Sequence, residues 1–140
     1  MKHTILLVED DELDVISVQR SLRKLDIEYD LLTAYNGKEA LDMLQSETSQ
    51  QPDIILLDLN MPKMNGIEFL KVIRKDEKLK DIKVFIMTTS AEGNDRILAE
   101  QLGISGYLIK PLNFNDNMKR TDSMDSFFQF HMRKILSDKA

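Results

Sequence analysis

Residues 53–66 read DIILLDLNMPKMNG and contain the clearest fold signal in the chain, a continuous apolar run followed by a carboxylate. The run from Ile54 to Leu57 does not alternate with polar residues, and Asp58 comes directly after it. A strand that is apolar on both faces is buried on both faces, which is typical of a parallel sheet covered by helices. The stretch therefore predicts an inner strand of an α/β fold.

Other parts of the chain repeat this pattern. Apolar runs occur at residues 5–8, 84–87 and 107–109, and a weaker one at residues 31–35. Apolar residues at three- and four-residue steps fill the intervals, behind the turn signals Asn36-Gly37 and Asn65-Gly66 and before Gly103. This alternation predicts an open, doubly wound parallel sheet, for which the strand order 2-1-3-4-5 is a common solution.

The 140 residues contain no linker or repeat, so we expect one domain over residues 1–140. Residues 115–136 have a helical pattern and predict an extended C-terminal helix. One face of that helix would carry Thr121, Met124, Phe128, His131, Met132 and Ile135. Phe127 lies at the edge of this face and Phe130 on the opposite side, which leaves a partner surface and plain exposure as open alternatives.

Composition excludes several classes of protein. Lys plus Arg is 19 and Asp plus Glu is 24, and the resulting net charge of −5 argues against nucleic-acid binding. The absence of cysteine excludes disulfides and thiolate zinc sites, and two histidines, His3 and His131, are too few for a multi-histidine metal site. The N-terminus does not resemble a signal peptide, and no apolar stretch approaches the roughly 20 residues needed to span a bilayer. We expect a cytoplasmic protein with neither nucleic acid nor membrane as a partner.

Polar side chains follow the apolar runs where parallel strands present their carboxyl ends, which is the edge at which such sheets bind ligands. These residues are Glu9, Asp10, Asp11, Asp58, Thr88 and Lys110. Carboxylates from neighbouring strands repel one another unless a cation neutralises them, and Mg²⁺ suits such hard oxygen ligands. Asp58 is then placed to act as a nucleophile that forms an aspartyl-phosphate, with the lysine and the threonine completing a phosphoryl cradle.

Each of these residues also has a simpler interpretation. Asp10 or Asp11, taken alone, is better explained as the N-cap of the first helix. Tyr107 is most simply a core residue. The basic residues Arg74, Lys75, Lys78, Lys80 and Lys83 alternate with acids and predict a solvated face. The occurrence of suitable groups at four strand ends, in this order, nevertheless favours a shared site.

As a set, the strings ILLVEDDELD, DIILLDLNMPKMNG, VFIMTTSAEG and GYLIKPL resemble the CheY-like receiver domain of two-component response regulators. The resemblance extends from about Thr4 to the final helix and implies the flavodoxin-like (βα)5 fold. In the tail from Phe114 to Ala140 and in the segment 88–90, which reads TTS, the chain is most similar to single-domain regulators associated with phytochrome-type sensor kinases.

The resemblance also implies roles for individual residues. Those that handle the phosphoryl group are Asp58 as phosphoacceptor, Lys110 as the phosphate-binding lysine, Thr88 as the switch hydroxyl and Tyr107 as the switch aromatic. Those that hold Mg²⁺ are Asp10 and Asp58 directly, Glu9 through water and Asn60 through its backbone carbonyl. Asp11 is an acid outside this set.

The implied function is a phosphorylation-dependent response regulator that receives a phosphoryl group from a sensor histidine kinase and signals by a conformational switch. It has no DNA-binding output domain, and it is not an enzyme beyond self-phosphorylation and autodephosphorylation. Receivers commonly pair through helix 4, strand 5 and helix 5, and the aromatic tail could extend a homodimer contact of this kind, so the oligomeric state stays open.

Three alternatives compete with this interpretation. A haloacid-dehalogenase-type phosphatase needs a second Asp two residues after its nucleophile, where this chain has Asn60. An interaction domain that never takes phosphate is disfavoured by the intact set of Asp10, Asp58, Thr88 and Lys110. A flavodoxin-type cofactor role is weaker still, because no Gly-rich loop follows the first strand.

Overall fold

Strands and helices alternate along the chain as the sequence predicts. A computed structural model describes residues 3–25, 28–46, 51–59, 61, 64–88 and 93–109. The strands are β1 (His3–Val8), β2 (Tyr29–Ala34), β3 (Ile54–Asp58), β4 (Lys83–Thr88) and β5 (Gly106–Ile109). The helices are α1 (Glu12–Arg23), α2 (Gly37–Gln45), α3 (Gly66–Lys75) and α4 (Gly93–Gln101). The expected C-terminal helix at residues 115–136 lies outside the described residues.

The five strands form one parallel sheet in the order β2-β1-β3-β4-β5, which confirms the predicted topology. Val8 at the end of β1 pairs with Ala34 of β2 and with Leu57 of β3. Asp58 pairs with Met87 of β4. The carboxyl ends of the central strands therefore lie at one edge of the sheet, as the candidate site requires.

Each face of the sheet has its own hydrophobic core, because every residue of β1 and β3 is buried. On one face, strand side chains pack with apolar residues of α2 and α3, including Leu41 and Phe69. On the other face, strand side chains pack with Val18 and Leu22 of α1. Burial of each aliphatic side chain contributes about 1.5–3 kcal/mol, so the central strands are the most firmly held part of the fold.

The predicted edge strand β2 is confirmed, with ends that differ from the apolar run by one or two residues. It begins two residues before the apolar run at Leu31 and ends at Ala34, so Tyr35 is not part of the strand and is 48% exposed. Within the part of the chain that the structure describes, only one edge of β2 pairs with another strand, and its side chains are mostly half-buried or exposed. An edge strand needs less apolar sequence than an inner one, which explains why the apolar run of β2 is weaker and marks its ends less exactly.

Short polar side chains fix the beginnings of three helices. Asp11 caps α1, where its carboxylate accepts hydrogen bonds from the amides of Leu13 and Asp14. Asn36 caps α2, and Asn65 forms a capping box at the start of α3. These contacts satisfy amides that lack a partner within the helix. For Asp11 the simpler interpretation, an N-cap, is confirmed.

The predicted end of α4 is also confirmed, since Gly103 follows the helix with a φ of 79°. Only glycine adopts this conformation without appreciable strain. None of the helices in the described ranges is both long and apolar enough to cross a membrane.

The predicted solvated face holds for the lysines but is wrong for Arg74. The Arg74 guanidinium donates hydrogen bonds to four backbone carbonyls, those of Leu102 (2.7 Å), Gly103 (2.8 Å), Lys80 (2.9 Å) and Ile82 (3.0 Å). Burial lowers the pKa of this guanidinium, and the nearby charge of Asp81 opposes the shift. Arg74 therefore joins the end of α3 to the turn before β4 and to the end of α4, a role that a run of alternating charges does not reveal.

Candidate metal site at the carboxyl edge of the sheet

Three carboxylates meet beyond the ends of the two central strands. Glu9, Asp10 and Asp58 each offer an oxygen atom, and these oxygens all lie within 4.8 Å of one another. The pairing of Val8 with Leu57 explains the convergence, because the next residues, Glu9 and Asp58, then stand side by side. The structure therefore brings together the three acids that were predicted to share a site, although their two segments lie about fifty residues apart in the chain.

The environment of the three acids differs. Glu9 is fully buried, Asp58 is 4% exposed, and Asp10 is exposed to solvent. The backbone amide of Asp11 donates a 3.2 Å hydrogen bond to Glu9 Oε2, which orients the buried carboxylate. Three carboxylates this close repel one another, and a divalent cation bound among them removes the repulsion. Carboxylate oxygens are the ligands preferred by Mg²⁺ and Mn²⁺, so the donor set fits such an ion.

The loop that follows Asp58 is folded tightly against its own strand. The amide of Gly66 donates a 3.0 Å hydrogen bond to the carbonyl of Leu59, which closes the loop at the start of α3. A Cβ atom at position 66 would lie 2.6 Å from the Asp58 carbonyl oxygen and 2.7 Å from Leu59 Cα. Only glycine permits this approach, so Gly66 determines how the backbone leaves Asp58.

The β2–α2 turn, residues 34–37, contacts both acid-bearing segments. The amide of Glu9 donates a 2.9 Å hydrogen bond to the carbonyl of Ala34, and the amide of Gly37 donates a 3.3 Å hydrogen bond to the carbonyl of Met64. Sequence reasoning used Asn36-Gly37 only as a turn signal and missed these contacts. Backbone hydrogen bonds leave no signature in residue type, so only the turn itself was visible in the sequence.

Other residues assigned by resemblance lie nearby or outside the described part of the chain. Thr88 is the last residue of β4 and follows Met87, the partner of Asp58. Tyr107 lies in β5 beside Ile86, is partly buried and packs against the core on the α2 and α3 side. Asn60 and Lys110 fall outside the described residues.

Comparison with known proteins gives a consistent result. The family model described as response regulator receiver domain matches residues 5–122. Response regulator Rcp1 from Synechocystis sp. is 38% identical over 128 residues, which span 89% of this chain and 87% of that protein. The solved Mn²⁺-bound form of Rcp1 aligns with a TM-score of 0.81 at 35% identity, covering 91% of this chain and 93% of that one. The phosphorylated cyanobacterial phytochrome response regulator RcpA aligns with a TM-score of 0.84 at 29% identity, covering 96% of both chains.

Proposed function

We propose a phosphorylation function for this chain, which belongs to the response regulator receiver domain family. In this proposal, Asp58 accepts a phosphoryl group from a sensor histidine kinase. Receiver-domain response regulators are signalling proteins, and a histidine kinase is the partner that membership implies. The observation that carries the proposal is the meeting of Glu9, Asp10 and Asp58 at the carboxyl edge of the sheet.

Mg²⁺ is the proposed metal. Asp10 and Asp58 would bind it directly, Glu9 through water and Asn60 through its backbone carbonyl. Support comes from the hard oxygen donors of the acid cluster and from the Mn²⁺ named in a solved relative. When bound, the ion supplies positive charge that offsets the charge of the transferring phosphoryl oxygens.

The reaction needs few groups beyond those that position the phosphoryl donor. A carboxylate oxygen of Asp58 forms a bond to phosphorus while the bond from phosphorus to the kinase histidine nitrogen breaks, and the nitrogen keeps the bonding electron pair. Lys110 pairs with the phosphoryl oxygens, and the hydroxyl of Thr88 donates a hydrogen bond to one of them. Water later hydrolyses the phosphoryl group from Asp58, so the rate of this hydrolysis sets how long the protein stays phosphorylated.

Phosphorylation changes the conformation through the proposed switch pair, Thr88 and Tyr107. An added charge of about −2 at Asp58 draws the Thr88 hydroxyl inward, and the ring of Tyr107 moves into the space that this leaves. Tyr107 is suited to this because it is only partly buried against the core. A partner that prefers one of the two conformations then detects the signal.

The wider proposal concerns partners and organisation. A phytochrome-type sensor kinase is the proposed phosphoryl donor, which is supported by the phytochrome regulators among the similar structures. We place residues 1–140 in one cytoplasmic receiver domain with an extended C-terminal helix. Homodimers would form through helix 4, strand 5, helix 5 and the aromatic tail that carries Phe127, Phe128 and Phe130.

Phosphoryl uptake from a small acyl phosphate tests the proposal. Wild type incubated with acetyl phosphate and Mg²⁺ should gain the mass of one phosphoryl group in intact-mass spectra, and Asp58→Asn should not. Asp53→Asn is a matched control, because Asp53 lies just before β3 and its carboxylate accepts a 2.9 Å hydrogen bond from the Thr4 amide at the opposite edge of the sheet. No mass gain in wild type, or an equal gain in Asp58→Asn, would refute the proposal.

A further inference from the structure

We infer that the β2–α2 turn, residues 34–37, is a positioning element that holds Glu9 and the loop after Asp58 at a fixed spacing. The turn contributes no acid to the cluster, yet its first and last residues bond to the two segments that do. Its effect on metal binding and phosphorylation rests on the proposed function, whereas its effect on backbone geometry does not.

The first contact fixes Glu9. Val8 pairs with Ala34 at the end of the β1–β2 ladder, and the 2.9 Å hydrogen bond from the Glu9 amide to the Ala34 carbonyl extends that pairing by one residue. The backbone amide of Glu9 is therefore held beside the end of β2, one residue beyond the end of β1. Because the Glu9 carboxylate is fully buried, a displacement of its backbone shifts the carboxylate relative to Asp58.

The second contact fixes the loop after Asp58. Gly37 is the first residue of α2, and its amide approaches the Met64 carbonyl at 3.3 Å. A Cβ atom at position 37 would lie 2.8 Å from that carbonyl oxygen and 2.9 Å from Met64 Cγ. Met64 stands two residues before Gly66, which holds the same loop against Leu59. A side chain at position 37 must therefore push the loop away from the turn.

The turn is itself held rigidly, so that the two contacts act together. Asn36 Oδ1 accepts a 2.8 Å hydrogen bond from the Glu39 amide, and Glu39 Oε1 accepts a 3.3 Å hydrogen bond from the Tyr35 amide. These side-chain contacts fix the turn on the amino-terminal end of α2. Its two ends then hold the backbone before Asp10 and the backbone after Asp58 in a constant relation.

Metal affinity separates a positioning role from a general contribution to stability. Free Mn²⁺ measured by electron paramagnetic resonance gives the dissociation constant, and circular dichroism gives the melting temperature. Gly37→Ala should raise the Mn²⁺ dissociation constant roughly tenfold, as loss of outer contacts to metal ligands commonly does. Leu44→Val, a core change at the other end of α2, should lower the melting temperature without changing this constant. Equal affinity in wild type and Gly37→Ala, or an equal loss in Leu44→Val, would overturn the inference.

Hydrogen exchange of the metal-free protein tests the geometry independently of the proposed function. Gly37→Ala should accelerate exchange of the Glu9 and Gly66 amides more than that of the β3 amides. Leu44→Val should not selectively accelerate exchange of the Glu9 and Gly66 amides. Asn36→Ala loosens the cap with little risk to folding and should act in the same direction, and Asn36→Ser should restore protection because serine is also a good cap. Should wild type bind no Mn²⁺, the proposed function fails, and selective exchange still decides the positioning role.

Discussion

The backbone amide of Asp11 donates a 3.2 Å hydrogen bond to the buried carboxylate of Glu9, two residues before it. Three consecutive acids thereby have three different environments. Glu9 is buried and oriented, Asp10 is exposed and faces the other acids, and Asp11 caps α1. Substitutions at neighbouring positions should therefore have different effects.

Asp10→Asn should reverse its effect on stability when metal is added. With a chelator present, the variant should melt higher than wild type, by about 2 °C, because one of three mutually repelling charges is gone. With excess Mg²⁺, wild type should melt higher, since an ion at a hundredfold excess over its dissociation constant stabilises by about 2.7 kcal/mol. Differential scanning calorimetry measures both states.

Asp42→Asn provides the control for Asp10→Asn, because Asp42 is an exposed acid on α2 and its loss changes the net charge equally. It should leave the response to Mg²⁺ unchanged. If the melting temperature of Asp10→Asn still rose with Mg²⁺ as much as that of wild type, Asp10 would not be a ligand.

Asp11→Ala should lower stability and leave metal binding intact. Loss of an N-cap costs about 1 kcal/mol in the free energy of unfolding, measured by urea titration. Asp11→Ser should recover most of that loss, because a serine hydroxyl can accept the same hydrogen bonds. A marked loss of Mn²⁺ affinity in Asp11→Ala would show that this carboxylate is a ligand rather than a cap.

Two glycine substitutions should separate steric pressure at the site from backbone strain elsewhere. Gly66→Ala places a Cβ atom against the Asp58 carbonyl and should cost about 1–3 kcal/mol of stability and also slow phosphoryl uptake. Gly103→Ala meets no atom closer than 3.9 Å but has a φ of 79°, so it should cost about 1–2 kcal/mol and leave uptake per folded molecule unchanged.

Urea unfolding and intact-mass kinetics on the same samples measure both quantities for the glycine pair. Normal uptake in Gly66→Ala would contradict the role assigned to this close approach. Slow uptake in Gly103→Ala would mean that the end of α4 affects the site directly.

Arg74→Met should destabilise the protein far more than Lys75→Met. The first change leaves four backbone carbonyls without their guanidinium donor and should cost about 1–3 kcal/mol in urea unfolding. Lys75 is exposed in the same last turn of α3, so its replacement controls for the interaction of a cation with the helix end. Arg74→Lys should recover little, because one ammonium group has three N–H donors and lacks the planar reach with which the guanidinium bonds four carbonyls. Equal stability of the two methionine variants would contradict the role of Arg74.

Much of the fold could be predicted because its causes lie in residue type and order. Continuous apolar runs identified the buried strands, Asn36 and Asn65 marked helix starts, and Gly103 marked a helix end. The acids were found for the same reason, since parallel strands present their carboxyl ends at one edge. The ends of the weaker β2 were predicted less exactly, because within the described residues only one of its edges pairs with another strand.

What the sequence could not provide were contacts made by backbone atoms. The bonds from Glu9 to Ala34 and from Gly37 to Met64 depend on register and loop path, which residue type does not specify. The prediction that Arg74 is solvated failed for a related reason. Its partners are backbone carbonyls, and the sequence does not distinguish Arg74 from the neighbouring lysines. Tertiary geometry decides which surface cation becomes a bridge.

Glu9 and Asp58 extend from β1 and β3, the two strands in which every residue is buried. Local opening begins at margins and loops, so we expect these two strands to be the last part of the sheet to separate. Tyr107, by contrast, belongs to β5, which lies at the edge of the described sheet beside β4. With phosphorylation at the centre of the sheet and movement at its edge, the protein could be switched many times without disrupting the site that receives the phosphoryl group.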